Sequence, residues 1–166
     1  MSYLITTKRL GLRPMSREDL AYLAELDQDP EVKKYYPEGT LSCHEIKQYM
    51  KECFYNFERK NLPCLVIFNL KTGEFVGEAY FDELETGEVK VGYLFHKKYW
   101  RRGYATEVLN ALLEWAKNNI DRDYIIAYAD KNHTASLRVM EKCGMEYYKD
   151  DVYLDMESRF YRIKNR

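Results

Sequence analysis

What this 166-residue chain lacks narrows its class first. No stretch approaches the roughly 20 apolar residues of a membrane span, and the opening Met1 to Arg9 holds no apolar run of signal-peptide length, so a soluble, cytoplasmic protein with no membrane partner is expected. Charge of one sign is missing too: 26 basic residues face 27 acidic ones for a net charge of -1, which argues against a nucleic acid held by bulk electrostatics. Cysteine is sparse. Cys43, Cys53, Cys64 and Cys143 form no C-x-x-C pair and make no cluster with His44, His96 and His133, so reduced thiols and no metal are expected. Repeats, linkers and low-complexity tracts are absent as well, and the length suits one domain over residues 1–166.

What is present is a change of period along the chain. After a short apolar start at Leu10 to Arg13, Ser16 can cap a helix carrying Leu20, Leu23 and Ala24, which stops near Asp29-Pro30. Ser42-Cys43-His44-Glu45 reads as a capping box before Ile46, Met50, Cys53, Phe54 and Phe57 at helical spacing, with an end near Asn61-Leu62-Pro63. Cys64 to Leu70, a turn at Lys71 to Glu74, and Phe75 to Phe81 predict a β-hairpin. A second turn at Glu85 to Glu88 and a strand from Val89 to Phe95 extend it to an antiparallel meander.

Helical period returns with Ala105, Val108, Leu109, Leu112, Leu113 and Ala116 on one face. Tyr124 to Ala129 then reads as a strand covered on both sides, so the order from Val89 to Ala129 predicts a right-handed crossover. A last helix from Thr134 to Cys143 ends at Gly144, and the tyrosine-rich tail from Met145 predicts a closing hairpin. The class is α/β (α+β), a mixed, mostly antiparallel sheet flanked by helices.

The segment joining strand to long helix concentrates the chemistry. It runs through Lys97, Lys98, Arg101 and Arg102 to Gly103, and the helix begins there with free amides and the positive end of its dipole. A pyrophosphate suits such a place; a plain turn with a solvated basic face is the alternative reading of the same residues.

Tyr99 to Glu107, Y-W-R-R-G-Y-A-T-E, resembles the acyl-CoA-binding loop and helix of the GNAT superfamily of N-acetyltransferases, in its RimJ/RimL-like branch. Three further stretches resemble that branch in order. These are Lys8 to Pro14 with Asp19; Asp29 to Val32 with Tyr35 and Pro37; and Asn132, Ser136, Leu137, Arg138, Lys142, Cys143 and Gly144. The resemblance implies the GNAT fold and an enzyme that acetylates a primary amine from acetyl-CoA. It implies phosphate contacts from Arg101, Arg102, Gly103, Tyr104, Ala105 and Thr106, and a pantetheine arm along the strand ending in Leu94 and Phe95, held from the other side by Asn132. Ser136 would donate a hydrogen bond to the departing sulfur.

Three departures follow. Trp100 stands where the superfamily's loop pattern opens with Gln or Arg, and Met140 stands where many members carry a proton-donating tyrosine, which leaves that role to Ser136, another tyrosine or water. Members often carry a base two residues before the glycine of the central strand, where this chain has Lys90; Glu78 and Glu88 are the candidates in its place.

Deprotonating a lysine-type amine at pH 7 costs roughly 4.6 kcal/mol, against about 1 kcal/mol for an α-amine. A missing strand base therefore leans slightly toward a protein N-terminal α-amine, with a polyamine, amino acid or antibiotic as the small-molecule alternative and a non-catalytic acyl-CoA-binding regulator as another. Tyr35, Tyr36, Tyr147, Tyr148 and Tyr153 could line an acceptor groove, and Asp150, Asp151, Asp155 and Glu157 could attract a cation. Monomer and homodimer both remain open.

Overall fold

The computed structural model describes residues 2–166. Strands β1 (Ile5–Thr6), β2 (Leu10–Pro14), β3 (Cys64–Asn69), β4 (Phe75–Glu83), β5 (Val89–Phe95), β6 (Tyr124–Asp130), β7 (Glu146–Tyr153) and β8 (Met156–Lys164) form one sheet. Its order is β1-β2-β3-β4-β5-β6-β8-β7, and every pairing is antiparallel except that of β5 with β6. Helices α1 (Leu20–Asp27) and α2 (Cys43–Lys60) cover one face; α3 (Tyr104–Asn119) and α4 (Thr134–Lys142) cover the other.

Local chemistry sets the ends of these elements. Asp19 anchors the approach to α1: its carboxylate accepts from the Ser16 amide at 2.8 Å and from both terminal nitrogens of Arg13 at 2.8 and 2.7 Å. A short 3-10 turn at Arg17–Asp19 precedes the helix. The capping box of α2 forms as expected, with the Ser42 hydroxyl accepting from the Glu45 amide at 3.1 Å and the Glu45 carboxylate accepting from the Ser42 amide at 2.9 Å. Asn61 ends that helix in a left-handed conformation. The closing hairpin turns at Leu154 and Asp155, both at positive φ, as a two-residue turn between strands requires.

Alternation within β3 to β5 divides two cores. Leu65, Ile67, Phe81, Val91 and Phe95 pack under α3 and α4, whereas Cys64, Val66, Phe68 and Leu94 pack under α1 and α2. Glu78 lies between Val66 and Leu94 in the strand register, so a carboxylate sits in an otherwise apolar row. The four cysteines are free thiols, with Cys53 and Cys64 buried.

Candidate active site

β5 pairs with β4 along its whole length but with β6 only where Lys90 lies opposite Ile126. The His96 amide donates to the Val76 carbonyl at 2.9 Å. Antiparallel alternation then commits the backbone groups of Leu94 and Gly92 to β4 and turns those of Tyr93 and Phe95 toward β6. The same parity on β6, fixed by the Lys131 amide donating to the Glu157 carbonyl at 2.9 Å, turns Tyr128 and Asp130 toward β5. Beyond Lys90 the two strands part, and these groups face the opening.

This geometry corrects one expectation. Leu94 spends its amide and carbonyl on Glu78 and offers the opening only a side chain; Tyr93 takes the place expected of it, beside Phe95. Two carbonyls of this lip are already occupied, Tyr93 by the Tyr36 hydroxyl at 3.0 Å and Phe95 by the Trp100 indole N–H at 2.9 Å. Trp100, the departure from the loop pattern, thus fastens the loop to the strand.

Between β5 and α3 the chain passes Arg101 at φ 65° and Gly103 at φ 79°. Gly103 is the N-terminal cap of α3 and no side chain among the described residues caps the helix, which leaves the first-turn amides of Tyr104, Ala105 and Thr106 open beside the exposed Arg101 and Arg102. Glu107, in the same turn, is paired with Arg9 at 2.8 Å, which offsets its charge beside the loop. The Tyr104 ring is buried under the Arg9 guanidinium, and its hydroxyl lies 3.5 Å from the Asn69 side-chain amide nitrogen, so only its backbone is open at the loop.

A cavity of about 720 Å³ passes through the opening in the sheet. Glu78 enters it from the α1/α2 face; Ser136 and Met140 enter from the α3/α4 face. Glu78 is 1% exposed and its Oε2 has no partner among the described residues. Burial, reinforced by the neighbouring charge of Asp27, pushes its carboxyl up to about 8. Asp27, also buried, is raised by burial against the pull of Lys33, whose ammonium lies 3.7 Å from Asp27 and 3.0 Å from Glu38.

Across the opening the Tyr93 and Ser136 hydroxyls lie 3.3 Å apart. Burial pushes the Tyr93 phenol up to about 12, with the Ser136 bond pulling the other way. Met140 is buried beside them and supplies no hydroxyl; the phenol comes from the strand instead of the helix. Sequence reasoning passed over Tyr93, although its position next to Leu94 in a strand was a signal, since alternation sends neighbouring side chains to opposite faces.

The other candidates are spread more widely. Glu88 lines the rim, where burial would raise its carboxyl but hydrogen bonds from Tyr148 at 2.7 Å and Thr86 at 2.9 Å hold it below the usual range. It is not brought together with Glu78. Asn132 is exposed at the turn before α4 and lies outside the lining, its amide held by Asp130 at 2.8 Å. Tyr128 lines the cavity with its hydroxyl accepting from Lys90 at 2.9 Å. Tyr35, Tyr36 and Tyr153 also line it, as does Asp151, whereas Tyr147, Tyr148, Asp150, Asp155 and Glu157 do not.

A model of the acetyltransferase (GNAT) domain matches residues 9–146. This chain belongs to the GNAT acetyltransferase family. The uncharacterized N-acetyltransferase YnaD of Bacillus subtilis is 32% identical to this acetyltransferase over 147 residues, 85% of the chain and 81% of the relative. Two solved structures share its fold at low identity. The acetyltransferase from Salmonella typhimurium that modifies the N-terminal serine of ribosomal protein L7/L12 is 16% identical, with TM-score 0.81 over 95% of this chain and 96% of its own. The spermidine N-acetyltransferase of Vibrio cholerae, in complex with CoA and spermine, is 14% identical, with TM-score 0.80 over 94% and 95%.

Acetyl-CoA is accordingly the co-substrate of this GNAT acetyltransferase. The open first turn of α3 beside two arginines fits the phosphates, and the parted edges of β5 and β6 fit an arm bearing amides. Among the described residues no helix is long and apolar enough to cross a membrane.

Proposed function

We propose that this acetyltransferase acetylates a primary amine carried into the acid-containing cavity, with Glu78 as base and the Tyr93–Ser136 hydroxyl pair beside the departing sulfur. The observation that supports this reading most directly is the placement of those groups on opposite sides of one opening in the sheet. Arg101, Arg102 and the amides of Gly103 to Thr106 hold the phosphates, and the amides of Tyr93 and Phe95 face the arm, with Asn132 at its outer side. The chain acts as one domain, as monomer or homodimer.

The residues divide the work of one substitution. The amine arrives as a cation and gives a proton to the ionised form of Glu78, whose raised pKa makes that form a stronger base than an ordinary carboxylate and one that grows as pH rises toward about 8. A backbone amide of the β5 lip polarises the acyl carbonyl as the C–N bond forms and the C–S bond breaks. The Tyr93 and Ser136 hydroxyls stabilise the thiolate that leaves, and the second proton, shed by nitrogen as the amide forms, passes to that sulfur so that CoA departs as the thiol. A base on β4 removes the reason for preferring an α-amine of low pKa, so a small cationic amine is the primary reading of the acceptor. The α-amine of a protein N-terminus, the RimJ/RimL-like reading, is the alternative.

A screen of small amines and N-terminal peptides, read as release of free CoA above hydrolysis, tests the proposal. Release with at least one amine, and its loss in Glu78→Gln, is expected. An enzyme that binds acetyl-CoA and turns over none of the panel would instead be an acyl-CoA-binding regulator.

A further inference from the structure

Three lysines line the cavity, and their partners differ. Lys33 lies against Asp27 and Glu38, and Lys149 has Glu88 at 3.8 Å. Lys90 has no carboxylate within 4.0 Å among the described residues. Its cross-strand neighbour is Asp82, which would neutralise it by default, yet Asp82 is turned onto the Asn56 amide at 3.2 Å and the Glu83 backbone N–H at 2.9 Å. Lys90 instead donates to the Tyr128 hydroxyl at 2.9 Å, and its ammonium lies 4.6 Å from the Tyr128 ring centre and 5.4 Å from that of Tyr80.

The rings of Tyr80 and Tyr128 and the hydroxyl of the latter thus hold this side chain in place. An ammonium carries three N–H donors and one is spent on Tyr128, so the others serve whatever enters the cavity.

We infer that Lys90 reads an anionic group on the acceptor, which is an amine that also bears a carboxylate. The inference rests on the cavity being the acceptor site proposed above. The spacing selects within that class. Lys90 pairs with Asp82, four residues along β4 from Glu78, so the two backbone positions lie on the order of 13 Å apart, and the Lys90 side chain reaches part of the way back, to 5.4 Å from the centre of the Tyr80 ring. A free α-amino acid, with amine and carboxylate on one carbon, is too short for its own α-amine to react while its carboxylate reaches Lys90. An ω-amino acid with a chain of several methylenes spans the distance, and the faces of Tyr80 and Tyr128 suit such a chain. Glu52, Glu85 and Asp151 line the same cavity, and among the described residues none of them lies within ion-pair distance of Lys90.

The test is a matched set of acceptors with the full chain and acetyl-CoA: 6-aminohexanoate, 1-aminohexane and 1,6-diaminohexane. Wild type is expected to favour 6-aminohexanoate over 1-aminohexane in kcat/KM by roughly tenfold or more, as for a hydrogen bond to a charged group. Lys90→Gln should bring that ratio close to one, and Lys90→Glu should move the preference to the diamine. Peptide pairs with Asp or Asn at the second residue separate the sources of the carboxylate. A larger Asp-over-Asn ratio that vanishes in Lys90→Gln keeps the role of Lys90 but assigns the anion to a polypeptide. Equal ratios in wild type and both variants overturn the inference, as does a wild-type preference for the diamine. So does CoA release with other amines but with none of these acceptors. The proposed function fails separately, when no amine or peptide of any kind releases CoA.

Discussion

At Gly103 the backbone is at φ 79°, a conformation that costs an L side chain, and an added Cβ would lie 3.5 Å from the Arg9 guanidinium. Gly103→Val is therefore expected to weaken acetyl-CoA binding, measured by calorimetry, more than Arg102→Ala, which removes one exposed guanidinium from the loop. Equal affinities for both variants and wild type would remove the phosphate assignment. Ser136 and Asn132 are separable by kinetics. Ser136→Ala should mainly lower kcat, by roughly ten- to a hundredfold for a lost hydrogen bond worth about 1.5 to 3 kcal/mol to a developing charge. Asn132→Ala should mainly raise KM for acetyl-CoA. The 3.3 Å contact adds Tyr93→Phe to this series, and its kcat should fall in parallel with that of Ser136→Ala. A Ser136→Ala enzyme that turns over normally would move the stabilising role to Tyr93 alone.

Among the elements, β5 carries the most specific expectation. Its residues alternate between a satisfied edge toward β4 and an edge that faces the opening, so neighbouring amides should respond differently to the same ligand. Hydrogen exchange followed by NMR should show the Tyr93 and Phe95 amides slowing when acetyl-CoA binds, while Leu94, already in the ladder, changes little. Slowing at Leu94 with none at Tyr93 would mean that the parity at the site is reversed.

For the molecule as a whole, the buried acids Asp27 and Glu78 make stability depend on pH. Both carboxyls are raised by burial, so the folded state holds their protons at a pH where the unfolded chain has released them. Their contribution is present below the ordinary carboxylate range, declines as pH rises above it, and for Glu78 is lost by about pH 8. Carboxylates lowered by partners, such as Asp19 on Arg13 and Glu83 on Lys60 and Arg122, act in the opposite sense and lose their contribution as pH falls. Urea midpoints across pH should thus reach a maximum on the acid side of neutrality. Glu78→Gln should flatten the decline between about pH 6 and 8; an unchanged slope would show that the Glu78 carboxyl is not raised.

The sequence by itself determined most of the elements and the loop that carries Gly103. Capping residues, period and turn signals are local, and they placed α2, the β3 to β5 meander, α3 and the Gly103 loop where they are found. The edge strand β1 escaped because two residues carry no period, and β8 rather than β7 lies against β6, a choice made by packing and not by either strand's pattern. Glu78 was a candidate from alternation alone. Its burial, its unpartnered oxygen and its Asp27 and Lys33 neighbours exist because α1, α2 and the segment joining them pack on this face of the sheet, which no local pattern encodes. Ladder parity decided that Tyr93 and not Leu94 faces the opening, and the parting of β5 from β6 brought a strand phenol to a helix serine. Covalent neighbours fix periodicity; which buried groups meet across the sheet is fixed only when its two faces close.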